Sequence, residues 1–201
     1  MIALIDYGIG NLRSVEKALQ TVGAQVSLTE APEVILSAEK VVLPGVGAFG
    51  DGMAGLQKRG LIDTVQEVAR RGTPLLGICV GMQLLFVVGE EMGEHAGLGL
   101  LAGRVRRFAE AGLKIPQTGW NQLFFRPDIP LLRGLENGVY AYFNHSYYCD
   151  PEEADDVLAS TEYGLRYASV VGRDRLYGVQ FHPEKSQAVG LQILRNFVES
   201  G

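Results

Sequence analysis

The chain has 201 residues, 47% hydrophobic and 20% charged, a globular balance that excludes wholesale disorder. Its 18 Lys and Arg stand against 23 Asp and Glu, a net charge of −5, which excludes a dominant nucleic-acid surface or a polybasic membrane patch. Two cysteines, Cys79 and Cys149, are too few for a disulfide framework and lack zinc-ligand spacing.

The opening MIALIDYG has no basic leader and turns polar at Asp6, so it reads as a strand and not as a signal peptide. The most apolar stretch, 74–89, falls short of the roughly 20 residues of a membrane span. A soluble, cytoplasmic chain forming one domain over 1–201 is expected. Ile2–Ile5 is a continuous apolar run, as in a strand covered on both faces. Leu12, Val15, Leu19 and Val22 then recur at helical spacing, with Gly23 as the stop. Gln25–Thr29 and Lys40–Leu43 are the next two strands. A single helical stretch is expected from Leu56 to Arg71, then a buried strand at Leu75–Ile78 and helix at Met82–Val88. Strand and helix alternating over short joints imply a mostly parallel sheet with helices on both faces.

Beyond residue 100 the pattern turns β-rich, with runs at Arg104–Phe108, Val139–Tyr148, Val157–Ser160, Leu165–Val171 and Leu176–Phe181. A last helix is expected from Ser186 to Val198. The fold class is therefore α/β, with extra antiparallel strands.

Between the Leu75–Ile78 strand and the next helix stands Gly77-Ile78-Cys79-Val80-Gly81, the G-x-nucleophile-x-G form of a nucleophile elbow. The central residue occupies a strained turn, and side chains two positions to either side would collide there. Such a turn exposes Cys79 at the carboxyl end of the sheet, where open α/β folds bind ligands. It also aims the sulfur at a helix N-terminus that favours thiolate. Cys149 has no such frame and reads as a buried structural cysteine.

A nucleophilic cysteine needs a base and a group that orients it. Of three histidines, His95 sits in a polar loop, and His145 fits a hydrogen-bonded structural residue. His182 follows an apolar strand, and Glu184 two residues on points the same way in extended chain. His182 and Glu184 are the better base-and-orienter pair. The Val80 N–H is one natural donor to an oxyanion. Pro44-Gly45-Val46-Gly47, ending the third strand, supplies another, and fits an ordinary strand-to-loop turn equally well. No phosphate-cradling fingerprint follows a strand, so no nucleotide site is expected.

PGVGAFG, GICVGMQ and FHPEKS, in that order across essentially all 201 residues, resemble a class I, triad-type glutamine amidotransferase. The resemblance implies that family's flavodoxin-like fold and leaves no length for a synthase domain. Within the class, IDYGIGN, KIPQTGWN, YFNHSYY and HPEKSQ are similar to the glutaminase subunits of imidazole glycerol phosphate synthases. The resemblance implies Cys79 as nucleophile, His182 as acid and base, and Glu184 as its partner. It places the Gly45–Val46 peptide and Val80 at the oxyanion hole, in a geometry that can require a peptide flip. Gly47, Gln83, Ser146 and Tyr147 fall at positions that hold glutamine, and Glu91 at one for its ammonium group. Trp120, Asn121, Tyr142 and Lys185 fall on the surface facing the synthase. Gln117-Thr118 stands where that family often has His-Met, and Asn144 where it often has Val.

The resemblance implies hydrolysis of L-glutamine through a Cys thioester, with no metal or organic cofactor. The ammonia would pass to a cyclase subunit, in a heterodimer, for imidazole ring formation in histidine biosynthesis. The alternatives are a glutaminase serving another synthase, a γ-glutamyl or peptide cysteine hydrolase, and an inactive binding subunit.

Overall fold

A computed structural model describes residues 1–109 and 112–200. Its first half comprises β1 (Ile2–Ile5), α1 (Leu12–Thr21), β2 (Val26–Thr29), α2 (Pro32–Ser37), β3 (Lys40–Leu43), α3 (Phe49–Lys58), α4 (Ile62–Arg70), β4 (Leu75–Ile78), α5 (Val80–Gln83), β5 (Phe86–Gly89) and β6 (His95–Ala96). The second half adds β7 (Leu101–Arg107), β8 (Gln117–Gln122), β9 (Phe124–Phe125), β10 (Tyr140–His145), β11 (Tyr147–Pro151), β12 (Val157–Glu162), β13 (Arg166–Arg173), β14 (Leu176–Val179) and α6 (Gln187–Glu199).

One sheet runs β2-β1-β3-β4-β14-β13-β11-β7-β5-β6, with β12 and β9 branching from β13. Its first five strands are parallel. The order β2-β1-β3-β4-β14 is that of a flavodoxin-like doubly wound sheet. Strand β14 joins the two halves, lying parallel to β4 and antiparallel to β13. A separate two-stranded sheet pairs β8 with β10.

The apolar stripes explain the packing. Val15, Ala18 and Leu19 of α1 are buried against the sheet, and full burial of a side chain like Leu19 contributes about 1.5–3 kcal/mol. Helix α6 buries Ile193, Leu194 and Phe197. The Lys40 ammonium ties its last turn to β3 through the Phe197 carbonyl at 3.0 Å and the Ser200 carbonyl. That places a positive charge against the helix's negative end.

Three expected elements differ. The stretch from Leu56 to Arg71 is not one helix, because Gly60 at φ +65° ends α3 and lets α4 start afresh. Met82–Val88 is not a helix: α5 ends at Gln83, and Phe86–Gly89 becomes β5, parallel to β7. Sheet pairing and the β-branched Val87 and Val88 win over helical spacing there. Val139–Tyr148 divides at Ser146 into β10 and β11, which belong to different sheets. Helix α2 and strand β8 have no counterpart among the expected elements. The described residues contain no helix long and apolar enough to cross a membrane.

Candidate active site

The carboxyl ends of β3, β4 and β14 converge on the elbow. Cys79 adopts φ 54°, ψ −112°, a conformation costing on the order of 1–3 kcal/mol unless its surroundings hold it. Here they do. Its N–H donates to the Val179 carbonyl of β14 at 2.8 Å, and its carbonyl accepts Met82 and Gln83 N–H groups at 3.0 and 3.2 Å. The flanking glycines are required by contact. A Cβ on Gly77 would stand 2.6 Å from the Gly81 carbonyl oxygen, and one on Gly81 would overlap the Leu43 carbonyl oxygen of β3.

Cys79 and His182 are each 3% exposed, line the same pocket and act on each other's charge. The Glu184 carboxylate accepts from His182 Nδ1 at 3.0 Å, and its side chain is 1% exposed. Burial acts to lower the His182 pKa, and the hydrogen bonds to Cys79 and Glu184 outweigh it, lifting the imidazole to about 9. That arrangement suits a thiolate beside an imidazolium.

The His182 backbone is fastened to β10. Its N–H donates to the Tyr142 carbonyl at 2.9 Å. Ser186 Oγ accepts from the Tyr142 N–H at 2.9 Å and donates to the His182 carbonyl at 2.7 Å.

A pocket of about 250 Å³ opens on Cys79 and His182. The sequence-expected Val46, Gly47, Val80, Gln83, Glu91, Ser146, Tyr147 and Lys185 all line it. Gly45 lies just behind, close enough that a Cβ there would be 2.6 Å from the Gly81 nitrogen and 2.9 Å from the Val80 Cβ. Glu91 is engaged within the chain, its carboxylate accepting the Phe49 N–H that opens α3 at 2.7 Å.

Sequence reasoning gave several residues around the pocket no place in the site. The buried Tyr7 hydroxyl donates to the Pro44 carbonyl at 2.5 Å, pinning the peptide ahead of Gly45. Burial and the neighbouring Cys79 push that phenol far above its ordinary pKa. His145 also lines the pocket, as do Asn144 and Pro116. Its Nδ1 is 2.7 Å from the Tyr147 carbonyl, and its Nε2 is 3.3 Å from the Tyr167 hydroxyl. Burial pulls its pKa down to about 4, so it is neutral at pH 7. Gln180, 0% exposed, reaches the Cys79 sulfur. These links arise only when strands distant in sequence pair. The one available signal was the YFNHSYY motif, which brings His145 beside Ser146 and Tyr147.

On the outer face of the β8–β10 sheet Trp120 and Tyr142 stand edge to face at 6.0 Å, and Lys185 Nζ lies 5.9 Å from the Tyr142 ring. Trp120 is 47% exposed. Asn121 is not brought onto this face. It alternates with Trp120 along β8, and its amide donates to the Glu162 carbonyl at 2.9 Å. The two departures from the family pattern meet across the strands, Thr118 Oγ1 donating to Asn144 Oδ1 at 3.1 Å. Cys149 is buried within β11, and burial raises its pKa well above the ordinary thiol value. Among the described residues no cluster of three or more His, Cys, Asp or Glu is arranged to hold a metal.

The family model for "Glutamine amidotransferase class-I" matches residues 3–200. A protein of Moorella thermoacetica named imidazole glycerol phosphate synthase subunit HisH is 54% identical, over 98% of this chain and 94% of its own length. The protein of that name from Wolinella succinogenes is 48% identical over the full length of both. Among solved structures, a glutamine amidotransferase superposes with a TM-score of 0.77 at 20% identity, over 99% of this chain and 98% of that one. The PurLQS structure from Thermotoga maritima gives 0.74 at 19% identity, over 98% and 96%. At such identities these two structures establish the shared fold.

Proposed function

The chain belongs to the class I glutamine amidotransferases, and on that premise we propose that it is the glutaminase subunit of an imidazole glycerol phosphate synthase. The observation that carries the reading is the strained Cys79, beside a His182 that Glu184 holds, both lining a pocket of about 250 Å³. The Cys79 thiolate attacks the side-chain amide carbon of L-glutamine. The resulting oxyanion accepts N–H groups from Val80 and the Gly45–Val46 segment, which packs against Val80. His182, as imidazolium, protonates the departing nitrogen, so ammonia leaves and a γ-glutamyl thioester remains. The neutral imidazole then takes a proton from water as it attacks the thioester, and glutamate is released. Gly47, Gln83, Ser146 and Tyr147 hold the substrate backbone and amide. The Glu91 carboxylate, at the pocket wall, faces the ammonium group.

The ammonia is delivered to a synthase subunit that docks on Trp120, Tyr142 and Lys185, beside the pocket mouth. The names of the relatives near 50% identity support that assignment. The test is product formation by the complex carrying Cys79→Ala. Glutamine-dependent synthesis is expected to fall by several orders of magnitude, because loss of a covalent nucleophile disables its whole unit. Synthesis from ammonium salt at alkaline pH should persist near the unmutated level. Equal loss with both nitrogen sources would overturn the reading, as would retained glutamine activity.

A further inference from the structure

We propose that Gln180 is a further catalytic residue, whose side-chain N–H donates a hydrogen bond to the Cys79 sulfur and holds it as thiolate; this rests on Cys79 being the nucleophile. Gln180 Nε2 lies 3.8 Å from Cys79 Sγ, within reach of a hydrogen bond to the large sulfur atom. The residue is 0% exposed, and its backbone is fixed by a 2.9 Å bond from its N–H to the Ser169 carbonyl.

The direction of the amide follows from its neighbours. The Tyr147 carbonyl can only accept, and Gln83 lies 3.2 Å from it, so Gln83 turns its NH2 group that way. The same NH2 group stands 3.1 Å from Gln180, which must therefore present its oxygen to Gln83. Only the NH2 end of Gln180 is then left to face the sulfur. One backbone carbonyl thus fixes two buried amides in series. A second donor aims at that carbonyl from His145 Nδ1 at 2.7 Å, filling both of its lone pairs and resisting reversal of the chain.

The consequence for the reaction is selective. A donor aimed at sulfur favours the anion over the neutral thiol. Gln180 is fully buried and is not among the residues that line the pocket, so it leaves the pocket to glutamine. Gln83 itself lines the pocket, so a substrate bond to its amide oxygen would tighten the same chain.

The test substitutes Gln180→Met, which keeps the volume and removes the donor, and follows alkylation of Cys79 by iodoacetamide as a function of pH, with peptide mapping. The charges of His182, Tyr7 and Cys149 act on this sulfur, Glu91 and Lys185 line the same pocket, and the substitution alters none of them. The alkylation midpoint is expected to rise by about one pH unit, the lower end of what a hydrogen bond to a charged group confers. At pH 7 the kcat for glutamine hydrolysis should fall about tenfold while KM stays within about threefold. A folded variant with an unmoved alkylation profile overturns the proposal, even if its activity is reduced. Should the variant not fold, the unaltered chain decides. With its glutamine side chains labelled with nitrogen-15, the Gln180 Nε2 protons should shift as Cys79 titrates and again when it is alkylated. A resonance insensitive to both events overturns the proposal. Undiminished glutamine hydrolysis by Cys79→Ala would instead overturn the nucleophile assignment, so the two failures are distinct.

Discussion

Cys79, at the end of the parallel strand β4, and Cys149, within the antiparallel strand β11, are 3% and 1% exposed. Depth of burial therefore does not separate them. Cys79 sits where a strand has run out, at a positive φ, with a pocket in front of it and an imidazole beside it. Cys149 sits in mid-strand, paired on one side with β7 and on the other with β13, and burial, aided by the nearby Cys79 and Asp150, raises its thiol pKa. The histidines divide in the same way. His182 lies just past the end of β14, paired with a carboxylate and lifted to about 9. His145, closing β10, bonds a carbonyl and a hydroxyl instead of a carboxylate, packs among aromatic rings, and is held by burial near 4. Parallel strands end together at one edge and leave loops there free to face a ligand, whereas antiparallel strands spend their polar groups on neighbours.

The largest expected effect of breaking this contrast is on turnover. His182→Ala should lower glutamine hydrolysis by about 10²–10⁴-fold, the usual range for a lost general acid and base. His145→Asn should stay within about tenfold, its contribution being the shape of the pocket wall. Steady-state rates of the two variants check this, and the reverse order would abolish the distinction.

A smaller effect, on stability, is expected at the elbow. In Gly81→Ala the new methyl group meets the Leu43 carbonyl of β3, which is backbone and cannot step aside. The cost should be about 3 kcal/mol or more, as for other forced overpacking, read as a fall in the urea midpoint. Unchanged stability would mean that the junction of β3 and β4 is looser than its contacts indicate.

The pH dependence of stability sharpens the contrast further, with opposite signs. The His145 pKa in the folded state lies below the ordinary value near 6.5, so the folded chain resists its protonation. Stability is intact above about pH 6.5 and falls as the pH drops toward about 4, by up to about 3 kcal/mol. The His182 pKa is raised instead, so its contribution is complete below about pH 6.5 and is lost as the pH rises through about 9. Urea unfolding from pH 4 to pH 10 should show both flanks. His145→Asn should flatten the acid flank alone, and a flank unchanged by that substitution would assign the acid loss to other groups.

Much of this organisation was legible along the chain. Buried runs such as Ile2–Ile5 and Leu75–Ile78 and the stripe on α1 depend on local periodicity, and they appear where that periodicity puts them. The elbow was legible because its need for glycine is local: residues 77, 79 and 81 lie within one turn, and their contacts follow from chain geometry. His182 and Glu184 were legible for the same reason, being two residues apart.

What escaped the sequence depends on contacts between distant segments. Phe86–Gly89 has helical spacing behind it, yet becomes β5 because β7 offers it a parallel edge. Val139–Tyr148 reads as one strand, yet Ser146 divides it, since β8 claims one side and β7 and β13 the other. Asn121 and Trp120 are neighbours in a motif, and the two-residue period of β8 sends them to opposite faces. Tyr7 reaches Pro44 across 37 residues, and Gln180 reaches Cys79 across 101. The sequence by itself determined which residues are the candidates for the chemistry, because the proposed nucleophile, base and orienting carboxylate each sit in a short local frame. The tertiary structure decided how those frames face one another and which buried amides aim at the sulfur, because hydrogen bonds across strands form only after the sheet has chosen its neighbours.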